Sequence, residues 1–255
     1  LQESMQEQLG QEIYVDGNLP GNENRWHGLE SIFGVNGSVN IDDGSHETTA
    51  RAEDPFLWPD DIYAGLSTEL GALGGAQREA GSWPYVPVDP EYDYYSPLVV
   101  NYESTYFQGE NQTWKDQCIE AIREGVQHAK RNDTKESQID LVLLNRKLYI
   151  DFLNRLDSRE RAIVTKTAGL RSYGFGDVVE LDGIEVSTEY AIPSETGYAL
   201  SIGNMEMKCM EGQLMTGEGP YYNEELQAHR YAVSVLANLK MKSPRNFVKF
   251  SPQPA

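Results

Sequence analysis

The chain has 255 residues, enough to bury a substantial core as one large domain or two closely packed ones. Forty acidic residues against twenty-one basic ones give a net charge of −19. That balance argues against a surface that wraps nucleic acid, which needs clustered Lys and Arg, and suits keeping a concentrated protein in solution.

From the N-terminus, Leu1, Met5, Leu9 and Ile13 recur every four residues with Gln and Glu between them, which predicts a helix with no capping residue ahead of it. The same polar stretch, LQESMQEQLGQE, lacks a basic n-region, so no secretory signal is expected in it. Asp16-Gly17 and the polar residues after it mark a loop leading to a short apolar segment, His27 to Phe33. From Gly34 to about Gln112 the chain is acidic and rich in Gly, Pro and aromatics. Trp58, Trp83, Tyr85 and Phe107 supply anchors that disordered segments lack, so ordered irregular structure is expected. Within it, a short helix is predicted over Asp60 to Leu73 and a short strand over Leu98 to Tyr102.

Thr113 opens the clearest helix, with Thr113 and Asp116 placed as a variant capping box. Trp114, Cys118, Ile122, Val126 and Ala129 or Lys130 share one face, and Lys115, Glu120, Arg123, Glu124 and Gln127 cover the other. Ile139 to Leu144 is an almost continuous apolar run, as expected of a strand covered on both faces. Asn145 is placed to cap a second helix with Leu148, Phe152 and Leu156 on one face. Downstream, the runs Asp177 to Leu181 and Ile184 to Thr188 flank Asp182-Gly183, a dipeptide suited to a type I′ hairpin turn. Tyr198 to Ile202, Met205 to Met210 and Val233 to Met241 are predicted strands, with a polar break before the last.

Candidate chemistry is sparse. His27, His46, His128 and His229 share no ligand spacing, and Cys118 and Cys209 form no CxxC pair and are expected as buried free thiols. Asp42 to Glu47 lacks the ligand alternation of a calcium loop, and Gly71 to Gly75 lacks the ending of a phosphate loop. Asp89, Glu91 and Asp93 stand among Tyr92, Tyr94 and Tyr95, a composition also found in carbohydrate-active clefts, but nothing fixes a carboxylate pair. Asn36, Asn111 and Asn132 sit in glycosylation sequons that read as chance matches. No metal, cofactor or catalytic residue is implied, and no apolar run is long enough for a transmembrane helix. Lys240, Lys242, Arg245 and Lys249 stand out against the acidic background as a candidate basic contact patch for acidic neighbours or packaged DNA.

One order of short motifs ties the second half together: the D-G hairpin, A-I-P-S-E-T-G-Y-A-L, N-M-E-M-K, E-G-P, R-Y-A-V, L-A-N-L-K and S-P-R-N-F-V. With the long helix, the apolar strand, the basic stretch Arg159 to Lys166 and Gly174-Phe175 before it, this order resembles tailed-phage major capsid proteins of the HK97-like fold. The resemblance covers residues 113–250. It implies an α+β fold with mixed sheets, a spine helix and a long antiparallel peripheral sheet. Residues 1–33 and 205–255 would form the peripheral domain and 34–204 the axial domain. The implied role is structural and not enzymatic: a subunit that self-assembles into hexamers and pentamers of an icosahedral head enclosing double-stranded DNA. Portal, scaffold or decoration proteins would be further partners, and the virion, assembled in the host bacterial cytoplasm, its location. An arm and an extended loop ahead of the spine helix are expected upstream of Leu1. The rival readings are an encapsulin-like shell around an enzyme cargo and, in a different class, an acidic carbohydrate-active enzyme.

Overall fold

The computed structural model describes residues 2–33, 38–39, 55–59, 62–68, 95–130, 138–159, 178–211, 216–223 and 227–252. In chain order its elements begin with α1 (Gln2–Glu12), α2 (Glu30–Phe33), β1 (Ser38–Val39), β2 (Phe56–Pro59), β3 (Ile62–Tyr63), β4 (Leu66–Ser67) and β5 (Leu98–Asn101). Then come α3 (Trp114–Ala129), β6 (Leu141–Leu144), α4 (Arg146–Arg159), β7 (Val178–Leu181), β8 (Ile184–Thr188) and β9 (Gly197–Leu200). The series ends with β10 (Met205–Cys209), β11 (Thr216–Asn223), β12 (Ala228–Ser234), β13 (Ala237–Met241) and β14 (Val248–Ser251).

All four side chains of β6 are buried, as its unbroken aliphatic run requires, because layers cover both of its faces. It lies in an eight-stranded sheet of order β1-β2-β5-β14-β9-β6-β8-β7. The pairs β5–β14 and β6–β8 run parallel, whereas β14–β9 and β6–β9 run antiparallel, so the fold is α+β with a mixed sheet. On one face, α3 and α4 bring Trp114, Ile122, Val126, Leu148 and Phe152 against Val100, Val142, Val186 and Phe250. On the other, Tyr14, Leu29, Ile32, Phe33 and Tyr63 close over Val99, Leu143, Tyr198 and Leu200. Gly125 lets α3 come down onto the sheet: a Cβ there would lie 2.8 Å from Val100 Cγ2 and 3.1 Å from the Phe250 ring.

The helix faces follow the periodicity. Trp114, Cys118, Ile122, Val126 and Ala129 are buried, and so are Leu148, Phe152 and Leu156. Lys130 is exposed at the end of α3. Asn145 Oδ1 accepts from the Lys147 amide at 3.1 Å, a cap on α4. The capping box at Thr113 does not form. Thr113 makes no side-chain cap, and Asp116 instead accepts from Asn111 Nδ2 and faces Arg155. In α1, Met5, Leu9 and Ile13 are only half-buried, so that stripe lies at the margin of the core.

Two other expectations need correction. The described part of the predicted helix at Asp60 to Leu73 is a tight hairpin, β3–β4, because Ala64 and Gly65 both take positive φ (52° and 79°). The polar break before residue 233 holds two strands, β11 and β12, and the predicted strand from Val233 to Met241 is interrupted at Val235-Leu236. The stretch from residue 205 onward also divides. Strands β10 to β13 pair only among themselves in the sheet hydrogen bonding, whereas β14 lies inside the eight-stranded sheet, between β5 and β9.

At the β7–β8 turn, Asp182 has φ 52° and Gly183 φ 84°. Both signs are those of a type I′ turn. A side chain on Gly183 would meet nothing within 4 Å, so the penalty for Gly183→Val is backbone strain alone, on the order of 1–2 kcal/mol or more. Soluble yield of Gly183→Val should fall. Gly203→Val, at a glycine with equally open surroundings and no positive φ, should match the parent. Equal yields of the two variants would show that the turn tolerates side chains.

Candidate interaction surfaces

Strands β10 and β13 form a separate antiparallel ribbon in which Glu206 lies opposite Lys240 and Lys208 opposite Asn238. Strand alternation therefore puts Glu206, Lys208, Asn238 and Lys240 on one face and Met205, Met207, Leu239 and Met241 on the other. The apolar face is covered at its base, where Leu239 and Met241 are buried and the Met241 amide donates to the Tyr63 hydroxyl at 2.9 Å. It is bare farther out, where Met207 is 49% exposed; just past the strand ends Met210 and Leu236, which alternation places on the lysine side, are 66% and 53% exposed.

The second ribbon, β11–β12, also carries exposed apolar side chains. Its cross-strand pairs are Gly217 with Val233 and Tyr222 with His229, so these residues and Tyr231 share a face. Tyr222, Tyr231 and Val233 are all exposed, and Tyr221 is exposed on the opposite face. Each strand of this ribbon has the other as its main packing partner. The two ribbons thus carry outer apolar side chains that find no cover among the described residues.

The four residues of the expected basic patch do not stay together. Lys240 is exposed on the polar face of the ribbon. Lys242 reaches the same face and pairs with Glu206, which Lys208 also contacts at 2.8 Å. Held by these two lysines, the Glu206 carboxyl is lowered to about 2. Arg245, by contrast, is buried in a 3₁₀ turn (Pro244–Asn246), and Lys249 points into the interior, where its Nζ meets Glu30 Oε2 at 2.6 Å. Lys208, absent from the sequence-level patch, joins the basic face through strand pairing.

The Glu30 carboxylate also accepts from the Tyr198 hydroxyl, and Tyr14, stacked 5.4 Å from Tyr198, donates to Glu189. Burial and these carboxylates push both phenols upward in pKa, so they remain donors at neutral pH. This polar network ties the segment before α2 to the centre of the sheet.

A groove of about 500 Å³ opens where the end of α3 meets the β7–β8 hairpin. Val126, Ile139 and Ile184 supply apolar lining, and Asp140, Glu180, Asp182 and Glu185 supply carboxylates beside Lys130. Asp182 is engaged by Arg123 Nε at 2.5 Å. Glu180 and Glu185 lie directly opposite each other in the β7–β8 ladder. Desolvation raises the Asp140 carboxyl above its usual range.

Among the described residues, no group of three or more His, Cys, Asp or Glu is placed to hold a metal ion. His128 stacks on Phe56 with ring centroids 4.0 Å apart, and His229 lies against Tyr222. Cys118 is buried as expected, its thiol pushed up to about 12 by desolvation, whereas Cys209 is exposed on β10. No described helix is long and apolar enough to cross a membrane. The acidic loops at Asp42 to Glu47 and Asp89 to Asp93, and the glycines at Gly71 to Gly75, lie outside the described residues.

No protein-family model matches the sequence, and no curated protein matches it. Among solved structures, the chain is similar to the cyanophage A-1(L) capsid asymmetric unit, with 13% identity and a TM-score of 0.48 over 99% of this chain. It is also similar to the holo-SrpI encapsulin complex of Synechococcus elongatus, with 9% identity and a TM-score of 0.34 over 56% of this chain. In both cases the matched part is 66% of the other chain, so this chain spans about two thirds of their length.

Proposed function

We propose that this chain is a structural subunit that associates with copies of itself to form a closed shell, and more finely that it is the major capsid protein of an icosahedral phage head enclosing double-stranded DNA. The observation that carries the proposal is the arm formed by the ribbons β10–β13 and β11–β12. It pairs strand with strand yet leaves Met207, Met210, Tyr221, Tyr222, Tyr231 and Leu236 exposed. A two-stranded ribbon is at best marginally stable alone in water, so such an arm needs a surface to lie on. In a shell that surface belongs to a neighbouring copy. Contacts that join one patch to a different patch on the next subunit close into rings around five- and six-fold axes. The ordered motifs from the D-G hairpin to S-P-R-N-F-V support the finer reading. The role requires no chemistry at any side chain.

Sedimentation of the purified chain, or of particles from its native source, tests the reading. The expected result is closed particles of megadalton mass in which this chain predominates, with nuclease-protected DNA inside. A monodisperse species of the 28.7 kDa chain under every condition would refute it. Particles holding a protein cargo in place of DNA would replace the phage reading with an encapsulin-like one.

A further inference from the structure

The ribbon β10–β13 has a polar face with an unusual charge for this chain. Lys208, Lys240 and Lys242 share it with a single carboxylate, Glu206, in a protein whose net charge is −19. Lys240 has no ion-pair partner among the described residues, and Lys208 is 62% exposed. Among the described residues the His27 amide reaches this face, donating to Asn238 Oδ1 at 2.9 Å, while Lys208, Lys240 and Lys242 stay exposed.

The groove at the β7–β8 hairpin has the opposite character. Glu180 and Glu185 are cross-strand neighbours, an arrangement of like charges that weakens a hairpin unless a cation comes between them. No cation of the described residues pairs with either. With Asp140 and Asp182 they make four carboxylates at the mouth, against Lys130 in the lining and the Arg123 that holds Asp182. Val126, Ile139 and Ile184 also line the groove, but strand alternation puts Ile184 on the α3 face of the hairpin and the Glu180–Glu185 pair on the other. An ammonium from another chain, set between the two glutamates, would relieve that repulsion. Lys208 and Lys240 are diagonal neighbours across the ribbon, about 7–8 Å apart, and Glu180 and Glu185 are directly opposed, about 5 Å apart, a difference that two flexible lysine stems can take up.

We propose that the β10–β13 lysine face of one copy docks into the Glu180–Glu185 groove of another copy. This rests on the self-association argued above and names one of the contacts that carries it. Two different patches are joined, so the contact propagates from copy to copy, and each joint offsets part of the repulsion between acidic subunits.

Charge reversal in the full chain tests the pairing. Lys208→Glu/Lys240→Glu and Glu180→Lys/Glu185→Lys should each lower the assembled fraction, measured by sedimentation at roughly 0.02 M salt, by about tenfold. The quadruple variant, with both faces reversed, should return to within about twofold of the parent. The Gln versions at the same four positions serve if a reversed variant fails to fold, as judged by circular dichroism, and should show a smaller loss of the same sign. Assembly indifferent to either reversal, or no recovery in a folded quadruple variant, would overturn the pairing and leave the shell reading intact. A parent that stops at dimers, yet loses them on either reversal, would uphold the pairing and defeat the shell. Retention of duplex DNA by the parent but not by Lys208→Glu/Lys240→Glu, without self-association, would assign the face to nucleic acid and overturn the proposal.

Discussion

Phe250→Ala should destabilise the subunit by about 3–5 kcal/mol, a large part of the 5–15 kcal/mol typical of a folded domain. Phe250 is fully buried in β14, at the middle of the eight-stranded sheet. Its ring fills space that two glycines leave: Cβ atoms built on Gly125 and Gly197 would approach it to 3.1 and 3.5 Å. It also lies 6.1 Å from the Trp114 ring, so one side chain joins α3 to β9. Backbone on both sides holds the resulting cavity open, and a cavity that cannot collapse gives the upper part of the range. Denaturant unfolding of the unassembled chain measures the loss, with Tyr190→Ala, at an 87% exposed position, expected within about 0.5 kcal/mol of the parent. A Phe250→Ala loss below about 1 kcal/mol would show that α3 settles into the gap.

Glu30→Ala should have a comparable effect by a different route. Its carboxylate is the partner of Lys249, whose side chain is only 17% exposed, and it accepts the Tyr198 hydroxyl as well. Removing it strands an ammonium and a phenol in the interior, at a cost of about 3–5 kcal/mol. Replacing both charges with apolar groups, as in Glu30→Leu/Lys249→Met, should recover the part of that loss owed to the ammonium, because the pair itself contributes little net stability once desolvation is counted, while the Tyr198 hydroxyl stays without its acceptor. A thermodynamic cycle over the four proteins isolates the coupling. Additive single-variant effects would mean that the two charges are hydrated independently.

Local signals were easy to read. Asp182-Gly183 needs nothing beyond its own two residues to set positive φ, and the four-residue steps of α3 and α4 reflect a single buried face each. The aliphatic run of β6 announced cover on both sides without naming what supplies it. The ribbon β11–β12 was hidden because its Tyr, Gly and Pro residues do not alternate around a core of their own chain. Sequence proximity misled at the basic cluster: the turn at Pro244–Asn246 buries Arg245 and redirects Lys249 to Glu30, while strand pairing brings in Lys208 from thirty residues away. The acidic groove joins the end of α3 to a hairpin more than fifty residues later, so no window along the chain contains it.

The position of β14 governs when this protein can fold. Strands β5 and β9 do not touch each other in the hydrogen-bonded order; β14 is the slat between them, and it leaves the ribosome after every other described strand. Without β14 the other strands of this sheet fall into two groups, β1-β2-β5 and β9-β6-β8-β7, each with an edge that β14 covers. Its contacts reach back some 150 residues to β5, a separation that slows closure. A surface that depends on the finished sheet therefore matures only after this region has been translated.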